Sequence, residues 1–476
     1  MAANNPLPTV QEQAHALAEG TVTSVELTTR SLDAIEALQP TLNSFTIVRR
    51  EAALTEAAEA DRRLAAGERA PLLGVPTAIK DETDLVGHPT AFGCAGDWPI
   101  ATQDAALVTK LRAAGAVIVG KTNTPELGQW PFTENATFGA TRNPWSPDHS
   151  PGGSSGGTSA AVASGVVTAG FGADGAGSIR IPCAWTNLVG IKPQRGRVST
   201  MPGPELFHGL TVYGPLSRTV AEAAYLLDVA SGPMPGDRHT PPPPAEPYLA
   251  AAGREPGPLR IALSTRAPFS GFPVSLDPDV RAAVTRLAGV LADLGHEVIE
   301  DNPRYGAIGT TFLPRSLAGL NDWVRRVPDP SLLDPRTRAN ARNGRAFRGP
   351  AVAGALAMEK VMQRQVGAIF TRVDVVLAPT TAQPPLLVGA TEGASSTRTD
   401  RVIIGACPYT WPWNVLGWPS INVPAGFVRS GLPVGAQLMG PANSESLLIS
   451  LAAQLEAAER WYEHVPPHRA PTPVST

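Results

Sequence analysis

Two glycine–serine segments on either side of a short apolar stretch place the tightest constraint on how this chain folds. The first reads Gly152-Gly-Ser-Ser-Gly-Gly157 and the second Gly172-Ala-Asp-Gly-Ala-Gly-Ser-Ile-Arg180. Glycine at this density lets backbone N–H groups converge without interference from Cβ atoms, which an anion site or an oxyanion hole requires. A flexible linker fits poorly, because apolar residues flank both segments and the serines are few and fixed between glycines. The stretch from Ala160 to Phe171, rich in Ala and Gly, predicts a buried helix followed by a strand.

The surrounding pattern is α/β. Thr23-Ser24-Val25-Glu26 matches a capping box and opens a helix to about Leu38, and 52–66 is a second helix. Leu73 to Ile79 predicts a short buried strand with Lys80 at its end. Residues 104–114 form an amphipathic helix stopped by Gly115, and 116–119 a strand. A further helix follows Gly214-Pro215 and runs to Asp228. Pro233 to Pro258, with Pro241-Pro-Pro-Pro244, reads as a surface connection. Strands are predicted at 259–263, 297–299, 373–377, 421–423 and 434–438, and helices at 277–294, 351–373 and 445–462. The Arg-rich stretch 305–350 reads as irregular, and 303–350 is a candidate cap or substrate-covering insert. Late strands returning to one sheet favour a single domain over 1–476.

Charged residues make up 17% and the net charge is −3, so nothing points to nucleic acid or an anionic membrane as partner. The N-terminal Met1-Ala-Ala-Asn-Asn-Pro lacks a basic region followed by an apolar one, and no apolar run reaches membrane-spanning length. The expected location is the cytoplasm. Cys94, Cys183 and Cys407 are odd in number and widely spaced, which fits buried thiols in a reducing compartment. No metal-ligand spacing occurs, so no cofactor and no metal are expected.

Three chemical readings of the glycine segments compete. Gly152 and Gly157 have phosphate-loop separation, but Thr158 stands where that loop needs lysine. Gly152-x-Ser154-x-Gly156 fits a nucleophile elbow, yet His208, His239, His296, His464 and His468 all sit in segments with no other sign of a site. The third reading uses both loops. Ser178 is the nucleophile, at the end of a turn whose N–H groups form an oxyanion hole. Lys80, at the end of an apolar strand where desolvation favours its neutral form, is the base. Ser154 passes the proton between them.

Several further motifs stand in order along the chain. They are Gly-Val-Pro-Thr-Ala-Ile-Lys80-Asp, Gly120-Lys-Thr-Asn-Thr-Pro-Glu-Leu-Gly128, Ala140-Thr-Arg-Asn-Pro-Trp145, Gly177-Ser-Ile-Arg-Ile-Pro182, Gly190-Ile-Lys-Pro193, the segment from Pro412 to Gly426, and Gly431 to Leu438. Together with the glycine–serine segments they closely resemble the amidase signature family from about Ser24 to Trp461. The resemblance implies a large mixed β-sheet core surrounded by helices and a triad of lysine, a serine entered by a cis peptide bond, and a nucleophilic serine. The family's two serines stand 24 apart, as Ser154 and Ser178 do, which selects Ser154 over Ser155 as the bridge. Ser155 is then a supporting hydrogen-bonding residue, and Asp174 and Arg180 brace the nucleophile loop. Gly175, Ala176 and Gly177 supply the oxyanion N–H groups. Alanine at 176 departs from the commoner glycine and adds a Cβ without removing an N–H.

The expected activity is hydrolysis of carboxylic amides through an acyl-enzyme, with esters and carbamates (urethanes) as further substrates. Gln129, Trp130 and Phe132, the Met201–His208 segment and Trp411-Pro-Trp413 suggest a hydrophobic or aryl pocket, though they serve equally well as core. Ile181, three residues after the expected nucleophile, leans away from glutamine as substrate. That weighs against the main alternative, an amidase subunit of a tRNA-dependent amidotransferase; a nucleotide-binding module is the remote one. The expected partner is a small molecule, and the oligomeric state is open, a homodimer included.

Overall fold

Lys80 ends a strand that is buried along its whole length, and that strand sets the position of the site. The structure is a computed structural model that describes residues 7–203, 205–269 and 271–471. The N-terminal reading on residues 1–6, and Pro204 within the Met201–His208 segment, lie outside the described residues. The described strands are β1 (Phe45–Val48), β2 (Pro76–Lys80), β3 (Val117–Thr122), β4 (Glu134–Asn135), β5 (Gly139–Ala140), β6 (Ala169–Asp174), β7 (Val189–Lys192), β8 (Val212–Ser217), β9 (Arg260–Leu263), β10 (Glu297–Glu300), β11 (Val375–Pro379), β12 (Ser420–Phe427) and β13 (Pro433–Met439). Apart from the small β4–β5 pair, they form one 11-stranded sheet in the order β1-β3-β2-β6-β8-β7-β12-β13-β11-β9-β10. It is mixed: β3, β2 and β6 are parallel, as are β11, β9 and β10, and the intervening pairs are antiparallel. Helices flank the sheet, so the α/β class expected from the sequence is the class observed.

Every residue of β2 and β6 is buried, which is why both read as runs of small and apolar residues without alternation. Thr77, Ala78 and Ile79 pair in parallel with Ala169, Gly170 and Phe171. Parallel pairing sends the carboxyl ends of both strands to one edge of the sheet. Lys80 leaves from β2 there, and Asp174 and the loop after it leave from β6. In open α/β sheets this edge is where ligands bind. The helix Gly156–Ala163 lies against β6 with all eight residues buried, and Ser154 and Ser155 immediately precede it.

Several elements differ from the sequence expectation. The helix opened by the Thr23 capping box runs Ser24–Leu42, past Pro40, to a left-handed Asn43. The proline-rich connection contains a helix, Tyr248–Ala252, whose Tyr248 and Ala251 are buried. The stretch expected to be irregular is helical at Gly309–Val324 and Pro335–Gly344. Asp334 caps the second of these by accepting from the Arg336 N–H, with proline at the first helical position. Strands β7 and β8 were not anticipated. They carry Gly190 and Gly214-Pro215, residues that normally mark turns, yet all of their residues are buried inside the sheet. No helix among the described residues is long and apolar enough to cross a membrane.

Close backbone approach at the start of the helix Gly156–Ala163 yields a test. A Cβ on Gly157 would lie 2.4 Å from the Asn123 nitrogen and 2.5 Å from the Ser44 carbonyl oxygen, both main-chain atoms that cannot step aside. Gly157→Ala should therefore reduce stability in urea unfolding by about 1–3 kcal/mol, the usual penalty for overpacking. Unchanged stability would mean that this helix is not seated as described.

Candidate active site

The lysine at the end of β2 is almost fully buried, and its ammonium group meets two partners. Lys80 Nζ donates to Ser154 Oγ at 2.7 Å and lies 2.9 Å from Glu82 Oε2. Burial holds the Lys80 pKa below its ordinary value by penalising the charged form, while the Glu82 carboxylate and, more weakly, Asp174 oppose that shift. The peptide bond between Gly153 and Ser154 is cis. Ser178 stands in the turn after β6, half-buried, and lines one cavity together with Lys80 and Ser154.

Ser155 ties the two serine segments together. Its N–H donates to the Ser178 carbonyl at 3.2 Å. Its hydroxyl contacts the main chain of Ala173, donating to the oxygen at 3.2 Å and accepting from the N–H at 3.3 Å. The Ser178 turn is thus pinned both to the segment that carries Ser154 and to the end of β6.

Asp174 holds the turn from inside. Its carboxylate accepts from the N–H groups of Gly177 at 2.8 Å, Ile179 at 3.2 Å and Arg180 at 3.4 Å. The Arg180 guanidinium donates to it through Nε at 3.0 Å and Nη2 at 2.9 Å, and Asn414 Nδ2 adds a bond at 2.8 Å. Burial alone would raise the Asp174 pKa. The Arg180 charge and hydrogen bonds, with Lys192 and Asn414, outweigh it and hold the carboxyl well below the usual range. Arg180 spends its remaining donors on the Thr410 carbonyl at 3.0 Å, Gln437 Oε1 at 2.9 Å and Asn414 Oδ1 at 2.7 Å. Lys192, fully buried nearby, is pushed down to about 7 by desolvation and by the Arg180 charge.

One expectation for the oxyanion donors needs correction. The Gly177 N–H is taken by Asp174, so it braces the turn and does not face the cavity as a free donor. Among the described residues the N–H groups of Gly175, Ala176 and Ser178 have no backbone partner. The Ala176 carbonyl accepts from the Thr410 hydroxyl, which orients that peptide unit from the far side.

The cavity measures about 1070 Å³ and is lined mainly by apolar and aromatic side chains. Trp130, Gln129 and Ile181 line it. Phe132 does not: it is buried behind the wall, stacked on Trp130 with ring centroids 5.5 Å apart. Gln129 Nε2 donates to Thr337 Oγ1 at 2.7 Å, and the Arg336 guanidinium lies 4.5 Å from the Trp130 ring centroid. These contacts fasten the helix Pro335–Gly344 to the cavity wall, and the helix Gly309–Val324 supplies Phe312, Leu317 and Leu320 to the lining. No histidine lines the cavity among the described residues. His208 contacts Asp322 at 3.3 Å and His239 contacts Glu205 at 2.6 Å, both elsewhere.

Sequence reasoning missed Glu82, Thr410, Asn414 and Gln437. The last three come from segments more than 200 residues beyond Arg180, and no local pattern links them to it. Glu82 follows Lys80 closely in sequence, but the strand ends at Lys80 and it is a turn, with the Glu82 N–H donating to the Lys80 carbonyl, that brings the two side chains together.

The Asp174–Arg180 pair gives two expected outcomes. Arg180→Met leaves a buried carboxylate uncompensated and should cost about 3–5 kcal/mol in urea unfolding. A loss below 1 kcal/mol would contradict the bracing role. Because the folded carboxyl titrates below its unfolded value, its contribution is complete above the unfolded pKa of about 3.9 and is lost as pH falls further. The deficit of Asp174→Asn relative to wild type should thus be full at neutral pH and shrink below about pH 4. A deficit that does not change with pH would rule out this titration.

Known proteins resemble the chain along most of its length. The Amidase family profile matches residues 26–449. A Mycobacterium bovis protein named "Putative amidase AmiA2" is 57% identical over 459 residues, covering 96% of this chain and 94% of that protein. The structure of 6-aminohexanoate cyclic dimer hydrolase superposes with a TM-score of 0.89 at 30% identity, over 97% of this chain and 99% of that one. A bacterial aryl acylamidase of the amidase signature family superposes with a TM-score of 0.85 at 27% identity, over 98% and 99% of the two chains. With the profile spanning nearly the whole sheet and these relatives aligned end to end, the chain belongs to the amidase signature family of hydrolases that act on amides.

Proposed function

We propose that this chain hydrolyses hydrophobic or aryl carboxylic amides through an acyl-enzyme on Ser178, with Ser154 and Lys80 as the proton relay. The observation that carries the reading is the 2.7 Å contact between Lys80 Nζ and Ser154 Oγ at the wall of the cavity that Ser178 also lines. When the amine is neutral, Ser154 delivers its proton to Nζ along that contact while taking one from Ser178. Ser178 Oγ bonds to the carbonyl carbon. The oxyanion is met by the N–H groups of Gly175, Ala176 and Ser178. The proton returns through Ser154 to the leaving nitrogen, the C–N bond breaks, and water repeats the sequence on the acyl-enzyme. Protonating nitrogen matters because an amine leaves poorly as an anion.

The substrate class follows from the cavity. Its volume of about 1070 Å³ exceeds what a small polar amide needs, and Phe92, Trp130, Phe207, Phe312, Trp323 and Trp411 face into it. Ile181 offers no hydrogen bond to a polar side chain on the substrate. Esters and carbamates present the same carbonyl to the same nucleophile and fall within this reading. Residues 303–350 act as the cap that covers the substrate, and the whole chain works as one domain.

A panel of chromogenic amides, esters and carbamates tests the assignment. Ser178→Ala should abolish turnover of all three classes. Lys80→Ala should depress amide hydrolysis by about 10²-fold or more and activated esters by much less, since their leaving groups need little protonation. Because the base must be neutral, kcat/KM should rise with pH to a limb below the ordinary lysine pKa of about 10.4, in the direction burial shifts Lys80. Turnover by Ser178→Ala equal to that of the wild type would refute the assignment.

A further inference from the structure

Glu82 brings a second ionisable group against the lysine of the relay. Its Oε2 lies 2.9 Å from Lys80 Nζ, and both side chains are buried. Its other oxygen, Oε1, is buried and has no hydrogen-bond partner among the described residues, although the side chain lines the cavity. The main chain turns back at this point: the Glu82 N–H donates to the Lys80 carbonyl at 2.8 Å, which folds residue 82 over residue 80. From the opposite side Gly128 closes on the cluster. A Cβ there would stand 3.0 Å from Glu82 Oε2, 3.3 Å from Ser154 Oγ and 3.8 Å from Lys80 Nζ. With φ at +64°, this position favours glycine, and its missing side chain leaves room for the three groups to meet.

Among the described residues, the other titratable groups facing this cluster are already engaged or neutral. Asp174 is paired with Arg180, and Asp81 with Lys121 at 2.8 Å. Tyr213, on β8, approaches the Glu82 carbonyl at 3.5 Å, and burial together with Glu82 and Asp84 keeps its phenol protonated. Glu82 is therefore the charge in direct contact with Lys80.

We propose that Glu82 is a positioning residue of the relay: it aims Lys80 Nζ at Ser154 Oγ, stabilises the ammonium that forms there, and thereby sets the pH at which hydrolysis begins. This rests on the reading of Lys80 as the base. As Ser178 Oγ bonds to the carbonyl carbon, the C=O electron pair moves to oxygen. The Ser178 proton goes to Ser154, and the Ser154 proton goes to the amine. Charge separates into an oxyanion and an ammonium, and the ammonium finds a carboxylate already in contact. When the C–N bond breaks, the ammonium gives its proton back through Ser154 to nitrogen, and the lysine is neutral again. The same carboxylate favours the charged amine at rest and so opposes desolvation, which is why its removal has a definite sign.

The test is the pH dependence of kcat/KM for an aryl amide in wild type, Glu82→Gln and Glu82→Asp, with thermal melting to confirm folding. Glu82→Gln keeps the size and a hydrogen-bonding oxygen but loses the charge. Its acid limb should move to lower pH by between about one and three units, the range expected when an opposite charge within ~4–6 Å is removed. Glu82→Asp, which draws the charge back by one methylene, should move it in the same direction by less, and serves alone if Glu82→Gln does not fold. A limb that stays at the wild-type position in both variants overturns the proposal. If Ser178→Ala is inactive while the limb stays, only the role of Glu82 falls; if Ser178→Ala still turns over, the relay falls with it.

Discussion

The buried carboxylate of Asp174 is the contact on which the rest of the site depends. It collects three backbone N–H groups, a two-pronged guanidinium and an amide nitrogen within one turn at the end of β6. Without it, a loop of Gly, Ala, Gly and Ser has little to define its shape, since glycine gains the most freedom on release. With it, the Gly177 peptide faces inward and the neighbouring N–H groups of Gly175, Ala176 and Ser178 are left without backbone partners among the described residues, beside the cavity. Arg180 extends the same network across the sheet to Gln437 on β13 and to Asn414, so the turn is tied to the opposite half of the chain.

A second constraint is the burial of Lys80. A primary amine in water is charged at neutral pH, and a base must be empty to accept a proton. Burying Lys80 at the end of a fully buried strand shifts that balance toward the neutral form, and Glu82 limits how far. The aromatic lining, which the proposed function reads as suited to an apolar substrate, would also lower the local dielectric and strengthen hydrogen bonds to the proposed oxyanion. In the proposed reading, substrate preference and lysine chemistry draw on the same burial.

Much of this could be read from the residues in order, for reasons that are specific. Lys80 was legible because an apolar run ends in a charge, and the run is buried in the sheet as its composition suggests. The two glycine segments were legible because fixed serines among glycines, flanked by apolar residues, have few uses other than a shaped loop. Strands β7 and β8 were hidden because being buried throughout erases alternation, and Gly214-Pro215 imitates a turn. The helices at 309–324 and 335–344 were hidden by their arginines, although Asp334-Pro335 is a start signal that the eye can find. Phe132 was placed in the pocket by proximity in sequence to Trp130, whereas stacking turns it into the core. Asn414 and Gln437 lie in late segments that carry the family resemblance, but neither they nor Thr410 could be linked to Arg180, because only the folded sheet brings them to it.

The identity of the nucleophile is the claim from which everything else follows, and covalent capture tests it most directly. A fluorophosphonate traps an activated serine as a stable adduct whose phosphoryl oxygen occupies the oxyanion position. Peptide mass spectrometry after labelling should place the adduct on Ser178, with no labelling in the Ser178→Ala protein. An adduct on Ser154, on Ser155 or on a residue outside the cavity would contradict the account.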